Sequence, residues 1–113
     1  AVLHIKLISE MNNFDHWTKK KKRKDAIKYA VKQAIQEVAI PLPCTIKITR
    51  VAPRPLDDDN HQGACKTLRD AIGDQILPGK LMGRADADKR MTWCYSQERG
   101  KTREYKVIIE IFV

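Results

Sequence analysis

Three carboxylates stand side by side at Asp57, Asp58 and Asp59, followed by Asn60, in a chain of 113 residues whose formal net charge is +8. Carboxylates this close repel one another unless something positive lies between them. With 22 Lys and Arg, the chain has no need of such a cluster for solubility. Two readings remain. One is a polar turn or helix cap, for which Asp and Asn are ordinary residues. The other is a seat for a divalent cation. Asp57 and Asp59 bracket one residue, so in an extended segment their side chains share a face while Asp58 points away. Two carboxylates on one face ahead of a helix suit Mg²⁺, which takes hard oxygen ligands and keeps several waters. An acidic knot in a basic chain points to chemistry on phosphates.

A second acidic pair, Asp86 and Asp88, lies in a loop ahead of a predicted strand. Alone it reads as a surface turn. Joined to the first group it completes a site of three or more carboxylates, the kind that holds one or two Mg²⁺ ions for phosphodiester hydrolysis. An EF-hand is excluded, because its Gly and distal Glu are missing. Lys66, on the helix that follows Asp59, is either a contact for a scissile phosphate or a solvated cation. His61 is expected as an exposed first-turn residue, with a role as base or ligand the alternative. The run Lys19, Lys20, Lys21, Lys22, Arg23, Lys24 is a solvated face or a grip on a phosphate backbone with salt-dependent affinity. Six cations oppose the dipole of a helix N-terminus, so the run is expected in the connection before the helix. Trp17, Trp93 and Tyr95 read as core or edge aromatics, and of the three Trp17 is the one that base stacking would use.

These residues need a scaffold. Val2 to Ile8 alternates apolar and polar residues, as does Cys44 to Val51, and both read as strands. From about Asp25, apolar residues recur at helical spacing until Pro41 and Pro43. Asp59 or Asn60 is expected to cap a second helix carrying Ala64, Cys65, Leu68, Ala71, Ile72 and Ile76, stopped by Pro78 and Gly79. Met91 to Tyr95 and Tyr105 to Val113 read as two more strands in a hairpin with Gly100 in its turn. The expected fold is a single α/β (α+β) domain over residues 1–113, ordered β-α-β-α-β-β, with two helices on a small mixed sheet.

Composition narrows the partners. Charged residues make up 32% of the chain against 42% hydrophobic, the balance of a folded globular chain rather than a disordered one. An isoelectric point near 9.6 points to a polyanion: nucleic acid first, an anionic membrane surface second. No apolar run approaches the length needed to span a bilayer, and no signal peptide is visible. Cys44, Cys65 and Cys94 are odd in number and widely spaced, which predicts reduced, buried thiols in a cytoplasmic protein.

Together, the Asp57-x-Asp59-Asn60 motif, the helix after it and the later acid before a strand resemble the RusA-type crossover (Holliday) junction endodeoxyribonucleases. Also similar are the element order and the polar, basic segment from Asn12-Asn13 to Lys24. Residues Ala64 to Ile72 and the motif Trp93-x-Tyr95-x-Gln97 resemble phage-borne members. The resemblance implies a homodimer that resolves four-way DNA junctions, with Mg²⁺ or Mn²⁺ as cofactor. It maps the metal ligands onto Asp57, Asp59 and Asp88, with Asp86 a fourth, and the catalytic lysine of that family onto a position held here by Gly63, with Lys66 one turn further on as its substitute. Two other readings stand beside it. A PD-(D/E)xK-type nuclease would pair Glu104 and Lys106 with Asp57 or Asp59, and a non-catalytic basic DNA-binding protein would use its acids as caps.

Overall fold

A computed structural model describes residues 2–5, 7, 17–35, 40–77 and 85–113. Strand β1 (Val2–Leu3) leads to helix α1 (Trp17–Ile35), strand β2 (Cys44–Ala52), helix α2 (Asp58–Ile76), a 3₁₀ turn (Ala85–Ala87), strand β3 (Met91–Arg99) and strand β4 (Lys106–Phe112). The β-α-β-α-β-β order is the expected one.

The sheet runs β1-β4-β2-β3. Strand β4 pairs antiparallel with β1 (Val2 opposite Ile108) and with β2 (Ile48 opposite Ile109). Strand β3 pairs parallel with β2, setting Ile46 against Trp93 and Ile48 against Tyr95. The expected β3–β4 hairpin is therefore absent, because β2 lies between the two strands. Gly100 does not turn one into the other; its N–H bonds to the carbonyl of Ala52. The β-branched run of β2 is buried along almost its whole length, as a central strand requires.

Alternation gives the sheet one covered face. Ile46, Ile48, Val107 and Ile109 meet Leu68, Ile72, Cys65 and Val31 from the two helices, and all are at most 2% exposed. Each such side chain contributes about 1.5–3 kcal/mol by leaving water. Strands β1, β2 and β3 run in one direction, so both helices return from the carboxyl ends of the strands toward their amino ends. The two helix N-termini thus share one edge of the sheet, where proteins of this layered kind build sites.

Several boundaries differ from expectation: β1 ends at Leu3, with His4 and Ile5 outside it, and β3 runs past Tyr95 to Arg99. Helix α1 starts at Trp17 rather than near Asp25, so the basic run lies inside the helix. Lys and Arg are good helix formers, most of these side chains are exposed, and water screens their opposition to the dipole. Helix α2 is capped by Asp57, not by Asp59 or Asn60. The thiols divide: Cys44 and Cys65 are buried, Cys94 is exposed on the uncovered face. The polar segment before Trp17 and the Pro78-Gly79 stop lie outside the described residues. Among those described, no helix is long and apolar enough to cross a membrane.

Candidate active site

The chain leaves β2 at Ala52 and enters α2 through Pro53 to Leu56, a stretch fastened to β3 by one side chain. Gln97 accepts from the Leu56 N–H (2.9 Å) and donates to the Leu56 carbonyl (2.8 Å). This imitates a backbone ladder where proline-rich sequence cannot supply one. Asp57 follows in extended conformation and caps the helix: it accepts from the Asn60 N–H at 2.9 Å and from Asn60 Nδ2 at 3.0 Å. Asn60 therefore works by holding Asp57. Asp58 and Asp59 fall in the first helical turn, both exposed, where the N-terminal dipole favours negative charge. The extended-chain argument for Asp57 and Asp59 sharing a face does not apply, since only Asp57 is extended.

Helical spacing takes over from Asp59. Residues 59, 62, 66 and 69 recur at i, i+3, i+7 and i+10 and so line one side of α2. They form one wall of a cleft of about 500 Å³, whose other wall is Asp86 from the 3₁₀ turn and Tyr95 from β3. Arg69 ties the walls together. Its Nε donates to Asp86 Oδ2 at 2.8 Å and its Nη1 to the Tyr95 hydroxyl at 2.9 Å. The guanidinium lies 5.0 Å from the centre of the Trp93 ring, and Trp93 Nε1 donates to the Asp86 carbonyl at 3.0 Å. Burial works against the Arg69 charge, but Tyr95 and Asp86 more than offset it and hold its pKa above the ordinary value. Asp70, the next residue, is shifted up by burial and then by repulsion from Asp86.

The structure thus brings together three of the sequence-predicted residues, Asp59, Lys66 and Asp86, on one cleft. Asp88 is not among its lining residues; it accepts from the Arg90 N–H and side chain at 2.9–3.1 Å. Glu104 and Lys106 pair with each other at 3.5 Å and also lie off the cleft. His61 departs most from expectation. It is 4% exposed, stands edge-on to Tyr95 with ring centres 6.0 Å apart, and burial, with Arg50 second, lowers its pKa. Arg69, Tyr95 and Gln97 are not among the sequence-predicted site residues; the signal for Arg69 is its spacing, i+3 from Lys66 and i+10 from Asp59.

Among the described residues no three His, Cys, Asp or Glu group closely enough to hold a metal ion. A two-carboxylate arrangement still fits Mg²⁺, which binds through one or two carboxylates and completes its shell with waters and substrate phosphates. Asp59 and Asp86 are the pair that borders a common cleft, and Asp86 keeps Oδ1 out of its ion pair with Arg69. Comparison of the chain with protein-family models, with curated proteins and with solved structures finds no match.

Proposed function

We propose that this chain is a Mg²⁺-dependent (or Mn²⁺-dependent) endonuclease that cuts branched DNA, four-way junctions foremost, as a homodimer. The observation that supports the reading best is the cleft itself: Asp59 and Asp86, from different elements, border one concavity that also holds Lys66, in a chain of net charge +8. Asp59 and Asp86 would hold the cation, with Asp57 at the head of the same helix and Asp88 two residues beyond Asp86. A divalent ion held there would supply a bound water of lowered pKa and positive charge for the leaving oxygen. Lys66 offsets charge on the scissile phosphate. Arg69, gripping Asp86 and Tyr95 at once, keeps the second carboxylate in place. Cations of α1, Lys21 and Lys24 among them, hold the backbone.

The test is cleavage of synthetic four-way junction, flap and linear duplex DNA with Mg²⁺. Wild type is expected to cut the junction, and Asp59→Asn to lose cleavage while binding the junction as well or better, since one backbone-repelling charge is gone. An Asp59→Asn protein that still cuts sinks the assignment.

A second reading, a non-catalytic DNA-binding protein, draws on one observation: Asp57 and Asp88 are both used structurally, as a cap and as a partner of Arg90. It requires no nicking and no Mg²⁺-dependent rise in melting temperature.

A further inference from the structure

Helix α1 carries a charge pattern that stability does not explain. Its first turn contains no acid, and Lys19 to Lys24 occupy its N-terminal turns, where each cation adds to the positive end of the dipole. Screening by water makes that opposition cheap to tolerate for exposed side chains, but it supplies no reason for six consecutive cations here.

The helical conformation sorts the run. At 100° per residue, Trp17, Lys20, Lys21, Lys24, Lys28 and Lys32 fall within a strip about 120° wide, while Lys19 and Lys22 point elsewhere. Two shallow grooves follow this strip. One, about 350 Å³, is open space among the α1 side chains Trp17, Lys20, Lys21 and Lys24. The other, about 270 Å³, lies between Lys32 and the Asp74 turn of α2. Lys28 lines both, so the strip is continuous along roughly 20 Å of helix. Five lysines face two acids, Asp25 and Asp74, and Trp17 stands at its N-terminal end, 66% exposed. The strip flanks α2 on the side of Ala71 and Gln75, whereas the carboxylate cleft uses the side of Gln62 and Arg69.

We infer that the Lys20–Lys32 face of α1 is a docking rail for the phosphate backbone of a DNA duplex, separate from the carboxylate cleft. It rests on the proposed reading only in taking DNA as the partner. Phosphates along one strand of duplex are spaced closely enough for several lysines of a 20 Å strip to be used at once, and an aromatic at the end of the strip adds contact with sugar or base. Lys28 and Lys32, outside the basic run, belong to the surface; Lys19 and Lys22, inside it, do not.

The experiment compares two charge-matched variants, Lys21→Gln/Lys28→Gln and Lys19→Gln/Lys22→Gln, for binding to a linear duplex in EDTA over a salt series. Each phosphate contact contributes about −0.9 to the slope of log K against log salt. The rail variant is therefore expected to flatten the slope by about 1.8, and the other to leave it unchanged. Equal flattening by both variants overturns the inference, because the attraction would then come from diffuse charge. So does wild type that ignores duplex DNA but binds phosphatidylserine vesicles through the same lysines. Because binding is read without metal, the outcomes separate: a duplex bound through the rail by a protein that never cuts with Mg²⁺ keeps the rail and removes the nuclease.

Discussion

Gly73 and Asp86 touch across the gap between α2 and the 3₁₀ turn. A Cβ on Gly73 would stand 2.8 Å from the Asp86 backbone nitrogen and 3.0 Å from its Cα, closer than side chains pack against main chain. The absent methyl is what lets the turn settle on the helix with the Asp86 carboxylate within reach of Arg69, one helical turn away.

Gly73→Ala is expected to destabilise the protein despite a better helix former. The helix gains about 1 kcal/mol, while displacing packed backbone costs about 1–3 kcal/mol. Chemical denaturation should give a net loss, and on the proposed function cleavage should fall further than stability does, since the shift moves Asp86 away from Asp59. A variant as stable and as active as wild type would contradict this account.

Asp57 has two separable duties. Asn caps helices about as well as Asp, whereas Ala loses about 1 kcal/mol. Asp57→Asn should therefore melt with wild type, and Asp57→Ala should melt lower. If the Asp57 charge also serves the cation, both variants lose junction cleavage; full cleavage by Asp57→Asn would leave Asp57 a cap alone.

Asp70 makes the pH dependence of stability asymmetric. Burial raises its pKa above the ordinary 3.8, so the folded state holds this proton more tightly than the unfolded state. Its contribution to stability falls as pH rises from about that ordinary value through the raised one. Asp70→Asn, which never ionises, should melt above wild type at pH 7, and the difference should shrink as the pH is lowered toward 4. A constant difference across that range would assign the effect to packing instead.

The elements of this fold were legible where local chemistry decides them. Strand β2 shows its alternation, and the DDDN cluster followed by Ala64, Leu68 and Ile72 marks the start of α2 to within two or three residues, the cap being Asp57 rather than Asp59 or Asn60. Pairing was not legible in the same way. Two alternating runs with Gly100 between them carry the marks of a hairpin, yet what separates them is β2, some fifty residues upstream, a long-range choice that no short window encodes. The start of α1 is not legible from the dipole argument, which is sound in sign but weak for solvated lysines. His61 reads as a polar first-turn residue until the helix phase turns it inward beside Ala64 and Leu68. In the site, Asp59, Lys66 and Asp86 were named from sequence, but Asp86 meets Asp59 only through Arg69, Gly73 and Trp93, a docking visible only in three dimensions.

The position of β4 bears on how the chain reaches this state. It emerges from the ribosome after the other three strands, yet it lies between two of them, and β1 has no other strand partner among the described residues. A nascent chain that ends before Lys106 can pair β2 with β3 but must leave β1 waiting, together with the open edge of β2. Closure of the sheet is thus a late, distant-contact step, slow by its topology, and the carboxylates at the head of α2 gain a finished floor beneath them only when residues 106–112 slide into the middle.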